Sequence, residues 1–388
     1  MKFDFLIVGT GFYGSVLAER ISKILKKKVL IIDKRSHIGG NCFSELCKKT
    51  NIEYHKYGTH IFHTSNQKVM DYLNPFMKLN NYRHQVLTKH KNHVYQMPIN
   101  LETINSLFKK NFNPFEAKKF IKTLAQKENI FKPHNFEEKA ISSIGRKLYN
   151  AFIKNYTFKQ WGINPKNLPS STFNRLPVRF NYNEDYFNHC NWQGIPESGY
   201  TEIFQKLLSS RRIKTILNCD YFKNFKNFRP KYSTIYTGPI DKFFDYKFGK
   251  LGWRSLNFRH SIKKTPDYQG TAVMNYADLN YKYTRIHEPI HLHPERKVRN
   301  KSTLIIEEYP IYNDNEPYYP INDKRSKEAF RKYKNFSKTV PNIFFGGRLA
   351  DYAYYDMDMT ISAALQKFEK IRKTVLQNQN SKIGFIDT

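Results

Sequence analysis

Apolar residues run from Phe3 to Val8, broken only by Asp4, and stop at Gly9, the pattern of a strand buried on both faces. Val16, Leu17, Ile21, Ile24 and Leu25 then recur at helical spacing, and Val29 to Ile32 form a second apolar run ending in Asp33. These three segments predict a βαβ unit. Farther along, Asn113-Pro114-x-Glu116 supplies a cap, a first-turn proline and an acid at the third position, and Asn135 with Glu138 repeats that start signal. Ile141, Ile144, Leu148 and Phe152 continue an apolar stripe, so residues from about 103 to 160 are expected to be mainly α. Tyr156 lies one turn past Phe152 and by pattern alone is a core residue. Alternation returns in TAVMNYADLNYKYTRI, which suits strands. Near the C-terminus, a strand over Asn342 to Phe345 precedes Gly346-Gly347-Arg348 and a helix through Ile361, Ala364, Leu365 and Phe368. The fold class expected from these elements is α/β.

At 388 residues the chain is long enough for two or three cooperating domains, and 40% hydrophobic with 16% aromatic residues excludes a disordered or fibrous class. The net charge of +32 comes from basic residues scattered in short clusters such as KILKKK and RPKY, with no long basic arm. A nucleic-acid partner is therefore not expected; the positive field suits gathering an anionic small molecule such as a nucleotide diphosphate. Cys42, Cys47, Cys190 and Cys219 show no CxxC spacing and are expected to be reduced thiols in a cytoplasmic protein. The apolar N-terminus is broken by glycine too early for a signal peptide, and no apolar run approaches about 18 residues, so membrane insertion is not expected.

The first strand leads into Gly9-x-Gly11-x-x-Gly14, the second into Asp33. Glycines here allow a tight turn, close approach of backbone to a pyrophosphate, and packing of helix on strand, while the acid accepts ribose hydroxyls. Strand, glycines, helix, strand and acid in register predict dinucleotide binding. The following DKRSHIGGN, with its doublet Gly39-Gly40, favours FAD over NAD, because flavoproteins similar to glutathione reductase and the amine oxidases carry such a second glycine turn along the adenosine and pyrophosphate.

HKYGTHIFHT (55–64), NYTFKQWG (155–162), NRLPVRF (174–180), YTRIHEP (283–289), EPYYPIN (316–322) and FGGRLADYAYYDMD (345–358) resemble, in order and over almost the whole chain, the UDP-galactopyranose mutase family. The resemblance implies an FAD-binding Rossmann-like domain assembled from residues 1–77, 200–247 and 338–388. It also implies a small helical domain with a mobile loop over 103–165, and a twisted antiparallel sheet domain from 78–102, 166–199 and 248–337. Gly9, Gly11, Phe12, Gly14, Asp33, Lys34, Gly40, Asn41, His60, Ile61, Gly347 and Arg348 would then hold FAD, with His60 and His63 beside the isoalloxazine.

The activity implied is interconversion of UDP-galactopyranose and UDP-galactofuranose, in which the reduced flavin attacks the sugar anomeric carbon and UDP departs. Electrons would come from NADPH or NADH, and a homodimer is expected. Arg175 and Arg285 would clamp the departing diphosphate. Tyr156 would stack on uracil, Trp161 would sit on the mobile loop, and Tyr186, Tyr319, Tyr354 and Asp356 would complete the substrate cleft. Pattern alone reads the tyrosines as packing. A sister mutase acting on UDP-N-acetylgalactopyranose or dTDP-fucopyranose fits the same residues, and a flavin amine oxidase shares only the FAD domain. His287-Glu288-Pro289-Ile290-His291 matches a zinc-protease pattern, but Pro289 breaks the helix that pattern needs, so no metal is expected.

Overall fold

The computed structural model describes residues 2–175, 178–187, 190–296, 301–312 and 316–383, with the side chains of Ser171, Asn174, Arg175 and 378–383 outside that description. Among the described residues, the N-terminal strand Phe5–Val8 is central in a five-stranded parallel sheet ordered 343–345, 233–236, 5–8, 29–32, 213–216. Its side chains are buried on both faces, as its uninterrupted apolar run requires. The helix Phe12–Ile24 packs on one face together with the long helix Met357–Ile383, and Val16, Leu17, Ile21, Ile361, Ala364 and Phe368 share one core. Ile24, assigned to the helical stripe, ends the helix and is 44% exposed. The C-terminal chain thus returns to the sheet that the N-terminus began.

A second sheet, ordered 319–320, 253–263, 303–311, 285–287, 273–276, 86–90, 93–97, is antiparallel except where Val273–Tyr276 runs parallel to Val86–His90. The alternating stretch that suggested strands forms two of them, Val273–Tyr276 and Arg285–His287, joined by a long connection.

Against the second sheet lies a helical layer of Leu101–Phe108, Pro114–Gln126, Phe136–Leu148 and Lys154–Trp161. Asn113 and Glu116 form a reciprocal capping box, and Asn135 accepts from the amide of Glu138, so both start signals act as read. Ile141, Ile144, Leu148 and Phe152 are all buried in one cluster. Tyr156 is not in it. A π-turn over Tyr149–Ile153 inserts extra rotation after Leu148, which carries Tyr156 off the core stripe to a half-buried position. No described helix is long and apolar enough to cross a membrane.

Candidate active site

One cleft of about 1030 Å³ runs from the C-terminal ends of the parallel strands, past the helical layer, to the second sheet. Gly9, Gly11, Phe12, Gly14, Asp33, Lys34, Gly40, Asn41, His60, Ile61, Gly347 and Arg348 all line it. Backbone meets backbone at its floor: a Cβ on Gly40 would stand 3.1 Å from the Gly11 Cα, so two glycine turns close on one another where only main chain fits. Asp33 is less available than its motif suggests. Its Oδ2 accepts from the Thr10 amide and hydroxyl at 2.8 and 2.7 Å, and Oδ1 accepts from the Arg35 amide at 3.0 Å.

Lys34 and the neighbouring Arg35 both pair with Glu316, at 2.9 and 2.6 Å, which ties the end of the second parallel strand to the segment before Tyr319. Burial works against the Glu316 charge, yet Arg35 and Lys34 hold the carboxyl below its ordinary range. Arg35 also donates to Asn41 at 2.9 Å and lies 4.1 Å over the Tyr57 ring. Beside Gly347, the Arg348 guanidinium sits 5.2 and 5.0 Å from the stacked rings of Tyr319 and Tyr354. Its Nε and Nη2 are buried and have no hydrogen-bond partner among the described residues. Donors left open in this way invite an anionic or carbonyl group in the cleft.

Histidines crowd the middle of the cleft. His60 Nδ1 bonds the Gly58 carbonyl at 2.6 Å, and its own amide donates to His55 Nδ1. Burial lowers His60 to about 4. His63 stacks 3.7 Å from Phe187; burial lowers it too, against the pull of Asp356 and Asp358. His84 is lowered by burial to about 3 and bonds the Tyr82 hydroxyl at 2.9 Å. Uncharged imidazoles of this kind can orient a ring system without adding positive charge.

At the far end a connected polar chain crosses between strands. Thr59 Oγ1 lies 2.7 Å from His287 Nδ1, His287 Nε2 lies 3.0 Å from Glu308, and Arg285 donates from Nη2 to the Tyr156 hydroxyl. Arg285 Nε is 3.4 Å from Glu308 Oε1, within ion-pair range but outside hydrogen-bond geometry. Burial alone would raise the Glu308 carboxyl; Arg285 and His287 hold it below its usual range. Burial opposes the Arg285 charge, but Glu308 and then Tyr156 more than restore it. The result is a permanent cation whose fork faces the cleft. Burial pushes Tyr156 up to about 12, against the pull of Arg285, so its hydroxyl stays protonated.

Tyr186, 39% exposed, sets its ring edge-on to His84, and together with Asp356 it lines the cleft. Trp161 does too, but it is the last residue of the helix Lys154–Trp161 and not a loop residue: Gly162 closes the helix with an amide bond to Phe158 at 2.8 Å. Arg175 ends the short helix Ser170–Arg175, and its side chain lies outside the described residues. The other arginine of that motif, Arg179, is buried and donates to the carbonyls of Asn183 and Asp185. The two histidines of HEPIH diverge, since Pro289 opens a short 3-10 turn after the strand. His287 faces Thr59 and Glu308, whereas His291 lies 3.2 Å from Asp267 and 3.5 Å from Glu288.

A family model described as UDP-galactopyranose mutase matches residues 151–354, and one for an NAD(P)-binding Rossmann-like domain matches 7–76. A UDP-galactopyranose mutase of Mycoplasma genitalium is 34% identical, over 95% of this chain and 95% of its own. The chain belongs to the UDP-galactopyranose mutase family. A dTDP-fucopyranose mutase of Escherichia coli is 39% identical over 93% of this chain and 96% of its own. Among solved structures, that of a reduced UDP-galactopyranose mutase superposes with a TM-score of 0.73 at 15% identity, covering 96% of this chain and 94% of the other. A putrescine oxidase shares the fold more loosely, with a TM-score of 0.55 at 12% identity.

Within this mutase family frame, sequence reasoning passed over Arg35, His84 and Glu308, and weighed His287 only as part of a zinc pattern. Glu308 had only a shared signal: it is the second of two acids, Glu307 and Glu308, that follow the apolar Leu304, Ile305 and Ile306 within the strand Thr303–Ile311, and nothing local says which of the two is buried and needs a partner. His84 had none, because its burial depends on Tyr82, Tyr186 and Phe187 arriving from separate segments.

Proposed function

We propose that the chain interconverts UDP-galactopyranose and UDP-galactofuranose with FAD as cofactor. The observation that carries this reading is the single cleft, which joins a glycine-floored dinucleotide half to the Arg285, Glu308 and Tyr156 constellation. The residues present fit FAD: Gly11 and Gly40 line the cleft with bare main chain that a pyrophosphate can approach, and the open Nε and Nη2 of Arg348 match a ring or phosphate oxygen. Gly9, Phe12, Gly14, Asp33, Lys34, Asn41, His60, Ile61 and Gly347 would complete its contacts. The chemistry such a cofactor supplies, when reduced, is a nucleophilic ring nitrogen for the sugar anomeric carbon.

The work of the chain itself is electrostatic and positional. Arg285, with Arg175 as its proposed companion, holds the diphosphate and stabilises the charge that develops as it leaves. Tyr156, Trp161 and Tyr186 hold the base and ribose, while Tyr319, Tyr354 and Asp356 shape the sugar end. His63, uncharged beside Phe187, orients the reacting ring system. Reduction by NADPH or NADH from solution, a homodimeric state and a cytoplasmic setting belong to the same proposal.

A second substrate is favoured by one specific observation, the 39% identity to the dTDP-fucopyranose mutase. Incubating dithionite-reduced protein separately with UDP-galactose, UDP-N-acetylgalactosamine and dTDP-fucose, followed by chromatography, distinguishes them. Furanose product from UDP-galactose is expected. Product from dTDP-fucose alone would reassign the substrate, and product from none would overturn the function.

A further inference from the structure

Lys159 lies one turn beyond Tyr156 on the helix Lys154–Trp161. Its Nζ is 2.6, 2.9, 3.1 and 3.0 Å from the carbonyl oxygens of Tyr276, Asp278, Tyr281 and Tyr283, the first at the end of the strand Val273–Tyr276 and the other three in the chain that links it to Arg285–His287. An ammonium has three protons, so four carbonyls surround it much as ligands surround a cation. The helix is also gripped at its end. Arg254 donates to the carbonyls of Gln160 and Lys159 at 3.0 and 3.3 Å, and the Tyr312 hydroxyl, with its one proton, lies 3.3 Å from both the Trp161 and the Gly162 carbonyl.

What Lys159 joins is informative. On one side its helix carries Tyr156 and Trp161; on the other, the Tyr283 carbonyl lies two residues before Arg285. Tyr156 and Arg285 meet across the cleft. We propose that Lys159 is a positioning residue for the nucleotide: its ammonium fixes the helix bearing Tyr156 against the strand bearing Arg285, and so sets the width of the cleft at its substrate end. This rests on the function proposed above. Lys159 itself does not line the cleft, and its effect passes through the two residues that do.

The test is equilibrium binding of UDP to the reduced holoenzyme, alongside KM and kcat for UDP-galactose, in Lys159→Met, Lys159→Arg and the parent. Because displacement of about 1 Å at a site costs up to about 10²-fold, Lys159→Met is expected to raise the UDP dissociation constant and KM by about tenfold while FAD content stays at the parent value. Lys159→Arg keeps the charge and the fold, but a planar fork cannot sit among four converging carbonyls, so it is expected to weaken UDP binding as well. It decides the matter if the methionine variant does not fold. In a Tyr156→Phe background the loss caused by Lys159→Met should shrink, because the two act on one contact. Binding within twofold of the parent in both variants, or full additivity with Tyr156→Phe, would overturn the role of Lys159 alone. A parent holoenzyme unable to bind UDP would overturn the function and this inference together.

Discussion

Arg285 is held between an acid and a phenol, and that placement fixes what a change there should do. Truncation would leave Glu308, 2% exposed, without its principal counter-charge, so loss of activity could be confused with loss of fold. Arg285→Lys avoids this by keeping a cation near Glu308 while removing the bidentate fork. It is expected to lower kcat/KM by roughly 10²-fold, the scale for losing one preorganised charge donor, with FAD still bound. Steady-state kinetics and the flavin absorbance of the purified variant check this; colourless protein would place Arg285 in cofactor binding instead. The identity of Arg285 was legible from YTRIHEP, but its environment was not. Glu308 reaches it only through the register of two strands, Arg285 opposite Glu308, which separates the pair by 23 positions in the chain and leaves no local pattern.

The βαβ unit was readable because each of its parts is local: apolar runs, glycine spacing and a terminal acid. The helical layer was readable for the same reason as far as Leu148. Beyond it the period changes, for Gly145 sits at φ +75 inside the helix Phe136–Leu148 and the π-turn follows. These two features re-aim the next helix, so that Tyr156 faces the cleft and Trp161 ends a helix where a loop was expected. Gly145 is buried, and a Cβ there would stand 3.1 Å from the Leu124 Cβ. Gly145→Ala should therefore cost about 1–3 kcal/mol, from a backbone conformation closed to other residues and from the contact with Pro114–Gln126. Urea denaturation of the holoenzyme measures it. Unchanged stability would mean that the kink is not required.

Across the molecule, burial of imidazoles ties folding to pH. His60 and His84 are lowered to about 4 and about 3, while an unfolded histidine titrates near 6.5. Between those values the unfolded chain binds the extra protons, so stability is fully present above about pH 6.5 and is lost as pH falls, at about 1.4 kcal/mol per pH unit for each such group. Glu308 and Glu316, both held below their ordinary range, extend the loss at lower pH. His291 acts in the opposite sense: Glu288 and Asp267 raise it, and its contribution fades as pH rises through its folded value. Chemical denaturation from pH 7.5 to 4.5 should show a falling midpoint, and a flat profile would contradict neutral buried histidines.

The assembly of one cleft from distant stretches of chain was visible only through resemblance to a family, because pairings such as Met274 with Leu87 join positions 187 residues apart. That cleft has a purpose only if an electron-rich cofactor and a departing nucleotide occupy it together. The most direct test is the initial rate of conversion of UDP-galactose to its furanose form by one preparation, measured fully oxidised, fully reduced with dithionite, and reoxidised in air. The rate should rise with the reduced fraction and return to background on reoxidation. Equal rates in all three states, or protein that binds no FAD, would contradict the account.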